Sequence, residues 1–275
     1  MSGSSACSTS ANWLLCCSKT KIKIMETMIS DEIKRLLRSL ADRYETADFI
    51  VGDPSWFMHQ VDDPADQEMI AFLASVLSYG RRDLFLPKIQ RLLDLSGNHP
   101  AQWIRSGAYA ADIPDDTACY YRLYNNHMMR ALMDGLHDIV VRYPTIGDYV
   151  RASAPSGNAV DALTALSGFF YARGVKGMVP APRTSVAKRP CMFLRWMVRS
   201  SSPVDLGLWA SFVDRRTLLI PMDTHVLQEA RNLGLIASKT ASWSTVVRLS
   251  EAMREVFPDD PARGDFALFG YGVNK

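Results

Sequence analysis

The chain has 275 residues, of which 48% are hydrophobic and 10% aromatic, and its formal net charge is +2. This is enough apolar sequence to bury a sizeable core in one large domain or in two interlocked lobes. The net charge is too small to identify a nucleic-acid-binding protein by itself. The five cysteines form no C-x-x-C pair and no spacing typical of a metal site, which argues against a metal-centred framework.

The first 27 residues differ from the rest of the chain. Their apolar run, WLLCC, is short, and the basic residues follow it instead of preceding it, so the segment does not fit a signal peptide. No later stretch approaches the roughly 18–20 apolar residues of a spanning helix. We therefore expect residues 1–27 to be a disordered extension. We also expect no membrane contact, and the cysteine usage indicates a reduced, cytosolic compartment.

Apolar residues recur with helical spacing along most of the remaining chain. No convincing strand pattern is present, and the one segment that resembles a strand, TLLIP at 217–221, is too short to judge. The pattern predicts an all-α fold of about ten to twelve helices. The five clearest stripes begin at Ile29, Met69, Met128, Val160 and Val246.

Residues 162–204 contain no Asp or Glu, although the whole chain is nearly neutral. Such a segment creates a local positive field that the total charge conceals. Arg195 and Arg199 are four residues apart, so a helix would place them on one face. Two interpretations stay open: a solvated basic face, or a surface that binds DNA phosphates. The seven cations of this segment are Arg173, Lys176, Arg183, Lys188, Arg189, Arg195 and Arg199.

Two residues in the second half of the chain could carry chemistry. Pro190 predicts a helix start, which places Lys188 in the first turn or just before it. Asp223 precedes a helical pattern that ends before Gly234, so a structural N-cap explains this aspartate without any function. His225 lies two residues further on, but no second group of His, Asp or Glu completes a metal site, and no metal is expected.

Four segments carry a resemblance to known proteins: DPADQEMIAFLASVLSYGRR, AKRPCMFLRWMVRSSSPVDLGLW, IPMDTHV and DFALFGYG. Together they resemble a bacterial family known as DUF2400, which is grouped with the helix-hairpin-helix DNA glycosylases. The D-T-H-V string at 223–226 and the L-G-L at 233–235 are similar to the corresponding segment of the endonuclease III type. The order of one Lys and a later Asp resembles the archaeal 8-oxoguanine glycosylases. The resemblance covers roughly residues 50–275.

This resemblance implies a two-lobed helical fold, with one lobe formed by residues 28–65 and 223–275 and the other by residues 66–222. The site would lie between the lobes, in a single unit spanning 28–275. The implied activity is removal of a damaged base, with an oxidised purine such as 8-oxoguanine as the expected substrate, and additional cleavage at the abasic site. A monomer that binds damaged duplex DNA and holds a flipped base is expected.

The resemblance also implies roles for individual residues. Lys188 would be the nucleophile that forms a Schiff base with the opened sugar, and Asp223 would stabilise the positive charge that develops at C1′ and move the proton. Tyr79 would stack on a base. The residues expected to contact DNA or the base are Arg81, Arg82, Arg189, Arg195, Arg199, His225 and Asp265, the last of which could instead cap its helix.

Two features depart from the wider superfamily. The L-P-G-V-G hairpin, whose backbone amides hold a phosphate, is not visible in the sequence. The four-cysteine motif of the iron–sulfur members is also absent, since no Cys follows position 191, and no iron–sulfur cluster is expected. Two alternatives therefore stay open beside the glycosylase: a non-catalytic DNA-binding protein of the same fold, and an N-glycosidase acting on free nucleosides or modified nucleotides.

Overall fold

The computed structural model describes residues 29–273. The predicted N-terminal extension, residues 1–27, lies outside the described residues. Within them the fold is helical, as the sequence predicts, and the only strands form one small hairpin. No helix in this range combines the length and apolar character needed to cross a membrane. The helices are α1 (Asp31–Tyr44), α2 (Pro64–Leu77), α3 (Arg82–Leu95), α4 (Pro100–Arg105), α5 (Tyr109–Asp112), α6 (Asn126–Arg142), α7 (Ile146–Ser153), α8 (Ala159–Ala172), α9 (Lys188–Val198), α10 (Thr224–Asn232), α11 (Trp243–Val256) and α12 (Gly264–Val273).

Helix ends follow the capping signals in the sequence. Asp223 is the N-cap of α10, where its side chain accepts a hydrogen bond from the Val226 amide at 2.9 Å. Gly234 follows the end of the same helix with φ +70°, a left-handed conformation that glycine adopts without steric cost. The predicted start of α9 beside Pro190 is also confirmed, because Lys188 is the first residue of that helix.

Two short strands were missed by the sequence analysis. Strand β1 (Cys119–Tyr121) pairs antiparallel with β2 (Tyr124–Asn125), and Arg122 and Leu123 form the turn. Strands of three and two residues are too short to show an alternating pattern. The TLLIP segment at 217–221 forms no strand. Its Ile220 amide instead donates a hydrogen bond to Ser250 Oγ at 3.0 Å.

Helices from the two ends of the chain pack together. The first helix, α1, contacts α12, and α12 also contacts α10. The middle of the chain forms a second set of contacts, in which α2 packs against α3, α4 and α9, and α6 packs against α4, α7 and α8. The division into lobes at the predicted boundaries stays a prediction.

The helices α2 and α9 lie at the centre of the middle set. All residues of Met69–Leu77 and of Pro190–Val198 are buried, so both helices are enclosed on every side. Phe72 of α2 meets Phe193 of α9 edge to face, with ring centroids 5.2 Å apart. This packing fixes the start of α9, and therefore Lys188, relative to the rest of the molecule.

One buried carboxylate ties α2 to α7. Glu68 accepts hydrogen bonds from the Ile146 amide at 2.7 Å, the Gly147 amide at 2.9 Å and Trp209 Nε1 at 2.6 Å. Burial raises the pKa of Glu68 from 4.5 to about 7, although the three donors act in the opposite direction. A pKa that is higher in the folded than in the unfolded state contributes stability that is complete below pH 4.5 and is lost as the pH rises through 7.

This titration gives a testable pH dependence. Between about pH 5 and 8, the free energy of unfolding of the wild type should fall by up to about 3 kcal/mol relative to a Glu68→Gln variant. The amide also replaces an acceptor by a donor, so the variant loses stability at every pH and only the difference in slope is informative. Urea titrations at several pH values measure it. Parallel slopes for the two proteins would contradict the assignment.

Candidate active site

A pocket of about 530 Å³ opens where α2 ends and where α9, α10 and α12 begin. A 3₁₀ helix, Ala47–Ile50, completes its wall. Its size is within the range of pockets that hold small organic ligands. Aromatic and charged side chains line it, and they include Phe49, Tyr79, Lys188, Asp223, Asp265 and Phe269.

Lys188 and Asp223 form an ion pair in this pocket. Lys188 Nζ lies 3.2 Å from Asp223 Oδ2, and their side chains are 31% and 18% exposed, respectively. Because Asp223 Oδ1 accepts the Val226 amide, the carboxylate is fixed in orientation and its second oxygen is left for the lysine. The two residues that the resemblance pairs as nucleophile and electrostatic partner are therefore neighbours, although 35 residues separate them in sequence.

The backbone before Lys188 is unusual. Ala187 is fully buried and adopts a left-handed conformation with φ 46° and ψ 33°, which is rare for a residue with a Cβ. Its amide donates to Ser185 Oγ at 3.1 Å, and its carbonyl accepts the Cys191 amide at 2.9 Å. This turn sets the direction in which the chain enters α9 and places Lys188 on the pocket side.

Asp265 lies in the first turn of α12 and lines the same pocket. Its Oδ2 accepts a hydrogen bond from Arg195, so this carboxylate is held by an arginine and is not used as a helix cap. Burial raises the pKa of Asp265 to about 6, and the nearby Asp223 acts in the same direction, whereas Arg195 and Lys188 lower it.

The prediction that Arg195 and Arg199 contact DNA phosphates is wrong, because neither guanidinium group lies on the protein surface. Both side chains are only 3% exposed. Arg195 donates hydrogen bonds to Asp205 and Asp265. Arg199 also donates to Asp205. Since each guanidinium group is paired inside the protein, neither can neutralise a phosphate without breaking a buried ion pair.

Four of the seven cations in the acid-free segment 162–204, namely Arg173, Lys188, Arg195 and Arg199, pair with acids outside the segment. Arg199 Nη2 lies 2.6 Å from Glu45, and its Nε lies 2.9 Å from Asp260. Arg173 pairs with Asp138 at 2.9 Å. The local positive field predicted from the sequence is therefore much reduced in the folded protein.

The other predicted contact residues have different positions. Tyr79 is half-buried in the pocket wall, and its ring packs edge to face against Tyr121. Arg81 is exposed outside the pocket and pairs with Asp83 at 2.5 Å. Arg82 lines the pocket and lies 3.4 Å from an oxygen of Asp53.

Arg189 and His225 also border the pocket but differ in their environment. Arg189 donates to the carbonyls of Val76 at 2.6 Å and Gly177 at 2.9 Å, so it joins α2 to the segment before α9. His225 is exposed in the first turn of α10. Among the described residues, no group of three or more His, Cys, Asp or Glu side chains is arranged to hold a metal ion.

The sequence analysis missed the hairpin beside the pocket. Tyr79 Oη accepts the Leu123 amide at 3.1 Å, and Tyr121 Oη donates to the Tyr79 carbonyl at 2.5 Å, which attaches the hairpin to the pocket rim. Leu123, at the tip, is 82% exposed. Gly80, which follows Tyr79, has φ +84°, a left-handed conformation that favours glycine. An isolated leucine between polar residues gives no sequence signal of such exposure.

Comparisons with known proteins bear on family alone. Searches of curated proteins and of solved structures found no match. The sequence model of one family, described as a protein of unknown function (DUF2400), matches residues 53–274, a range that includes the whole Lys188–Asp223 pair and Asp265. The match covers most of the chain, and the protein belongs to the DUF2400 family.

Proposed function

We propose that this protein is a DNA N-glycosylase with lysine-dependent AP-lyase activity, acting on an oxidised purine such as 8-oxoguanine, and that its helical fold is of the helix-hairpin-helix glycosylase type. The observation that carries the proposal is the 3.2 Å contact between Lys188 Nζ and Asp223 Oδ2 in a pocket of about 530 Å³. An amine beside a carboxylate, in a site large enough for a flipped base, is the combination that this reaction requires.

The reaction begins with proton transfer between the paired residues. Asp223 takes a proton from Lys188 Nζ, which leaves a neutral amine. This amine attacks C1′ of the sugar while the C1′–N bond breaks, and the base leaves with the bonding electrons and takes the proton held by Asp223, which becomes a carboxylate again. The carboxylate of Asp223 stabilises the positive charge that develops at C1′.

The second half of the reaction cleaves the strand. The sugar ring opens as the C1′–O4′ bond breaks, O4′ takes up the proton released by the lysine nitrogen, and this nitrogen and C1′ form an imine. The Asp223 carboxylate then takes a proton from C2′, and the electrons of the C2′–H bond form a double bond as the 3′ phosphate leaves by β-elimination. Water hydrolyses the imine and restores the free lysine. Borohydride reduces this imine to a stable amine, which links the protein covalently to the DNA.

Duplexes bearing single lesions, together with an abasic-site duplex, test this function directly. Wild-type protein incubated with borohydride should yield a covalent adduct on the abasic duplex and on at least one lesion, and free base should be released from that lesion without borohydride. If no adduct forms on any lesion or on the abasic site, the lyase assignment is wrong. Base release without an adduct would leave a glycosylase that uses water instead of Lys188.

The hairpin tip supports a duplex substrate. Leu123 lies at the rim of the pocket, where its amide donates a hydrogen bond to Tyr79 Oη. Arg122, the neighbouring residue, is also exposed, and its guanidinium group lies 5.4 Å from the centroid of the Tyr79 ring. Apolar side chains that enter a base stack stabilise DNA from which a base has been displaced. We assign Leu123 this role, with Arg122 placed to reach a neighbouring phosphate.

A Leu123→Ala variant should therefore release base from duplex DNA about tenfold more slowly, since the gap left by the flipped base is no longer filled. Single-stranded substrate, which has no opposing stack, should be processed at the wild-type rate. Leu84→Ala, at another exposed leucine, is the matched control. Equal losses on the duplex and the single strand would contradict the role of Leu123.

The pairing of cations in segment 162–204 with acids elsewhere favours one alternative, hydrolysis of free nucleosides or modified nucleotides. Burial of Arg195 and Arg199 removes two expected phosphate contacts, and a small substrate needs neither. The salt dependence of DNA binding distinguishes the two functions. A glycosylase should lose affinity for duplex steeply as salt rises, whereas a nucleoside hydrolase should turn over its substrate independently of salt and of added duplex.

A further inference from the structure

One oxygen of the pocket carboxylate Asp265 has no partner. Its Oδ2 is occupied by Arg195, and no hydrogen bond from residues 29–273 reaches Oδ1. The Asp265 side chain is only 8% exposed, but Oδ1 itself is accessible. Among the described residues, Trp196 Nε1 is the only side-chain polar atom that is both inaccessible and without a hydrogen-bond partner. Since Asp265 lines the pocket, this accessible oxygen faces the pocket interior.

The orientation of Asp265 is fixed from behind. Arg195, which holds Oδ2, is itself held by Asp205, where its Nε lies 3.3 Å from the carboxylate. Asp205 in turn receives a hydrogen bond from Arg199. This chain of buried ion pairs leaves the carboxylate little freedom to rotate, so Oδ1 is presented at a defined position. A preorganised acceptor of this kind discriminates between ligands more sharply than a mobile one.

Asp265 is also in the correct state to accept a hydrogen bond at neutral pH. Its pKa is raised by burial and by Asp223, and lowered by Arg195 and Lys188, to about 6, so the group is a carboxylate above that pH. A carboxylate accepts hydrogen bonds and cannot donate them. A ligand that places a lone pair opposite Oδ1 leaves a buried acceptor unpaired, which is costly.

We propose that Asp265 Oδ1 accepts a hydrogen bond from a ring N–H of the base in the pocket, so that the site selects bases with a lactam edge, such as guanine and hypoxanthine, over adenine-type bases. The inference rests on the proposed function only in taking the occupant to be a nucleobase. At the N1 position a lactam purine carries a hydrogen-bond donor, whereas adenine carries a lone pair.

Inosine and adenosine are suitable probes because they differ only at this edge. Ligand-observed NMR titrations at pH 7.5 should show inosine binding to the wild type about tenfold or more tightly than adenosine. In Asp265→Asn the amide oxygen should stay on Arg195, which can only donate, so the amide NH₂ takes the place of Oδ1. The acceptor thereby becomes a donor, and the preference should reverse in favour of adenosine.

Equal binding of the two nucleosides by the wild type, or binding of neither, would overturn the proposal, and so would a preference that the substitution leaves unchanged. The wild-type comparison stands even if the variant does not fold. Borohydride trapping separates this inference from the proposed function. Selective inosine binding without any adduct would retain the role of Asp265 and reject the lyase, whereas an adduct without selectivity would do the reverse.

Discussion

Replacing Lys188 by Gln is expected to abolish the covalent adduct between the protein and DNA in the presence of borohydride. The imine requires a primary amine, and the Lys188 amine is the one that meets a carboxylate in the pocket. Glutamine is a good helix former of similar length, so α9 should still begin at this position. Because the pair is partly solvated, the substitution should change the denaturation midpoint little.

The partner substitution, Asp223→Asn, should give a different result. Asparagine caps helices as well as aspartate does, so α10 should remain intact. The variant loses the negative charge beside C1′ and the proton acceptor for Lys188, and base release should slow by about 100-fold or more. Binding of DNA should change much less, because no phosphate contact is removed. Single-turnover rates and equilibrium binding on the same duplex separate the two effects.

Lys176→Gln is the matched control for Lys188, since Lys176 is an exposed lysine of the same acid-free segment. The Lys176→Gln variant should form the borohydride-reduced adduct with DNA as efficiently as the wild type. Persistence of the adduct in Lys188→Gln would assign the imine to another amine and remove the main support for the proposed mechanism. A parallel loss of DNA binding and base release in Asp223→Asn would indicate a structural role alone.

The sequence predicts the helical fold well, and the reasons are local. Apolar spacing, Pro190, Asp223 and Gly234 act within one or two turns of the chain, so the sequence alone is enough to place these helix ends. The same local logic placed Lys188 at the start of α9 and Asp223 before α10. That the two side chains act together was implied only by the resemblance to known families, and in the structure they lie 3.2 Å apart.

The misassigned arginines depended on contacts that local sequence does not encode. The partners of Arg199 include Glu45, 154 residues earlier, and Asp260, 61 residues later. A count of charges within a window cannot reveal such pairing, so a buried ion network looked like a basic surface. The hairpin that carries Leu123 was missed for a different reason, which is local: its two strands are too short to show a periodic pattern in the sequence.

The buried network itself provides a second large effect: Arg199→Met should lower the free energy of unfolding by about 3–5 kcal/mol. Methionine preserves much of the apolar stem but removes the guanidinium group that joins Glu45, Asp205 and Asp260. Asp260 then loses the two hydrogen bonds that Arg199 Nε donates at 3.0 and 2.9 Å. Urea denaturation followed by circular dichroism measures the change.

Arg216→Met is the matched control, because Arg216 pairs with Asp214 at 2.8 Å but is exposed to solvent, where such pairs contribute little. A phosphate-binding Arg199 would give the opposite pattern. The variant would then keep its stability and bind duplex DNA more weakly. The slope of the logarithm of the binding constant against the logarithm of the salt concentration would fall by about one, since one phosphate contact is lost. Because Arg199 is held by three acids inside the protein, we expect loss of stability and an unchanged salt slope for the folded fraction.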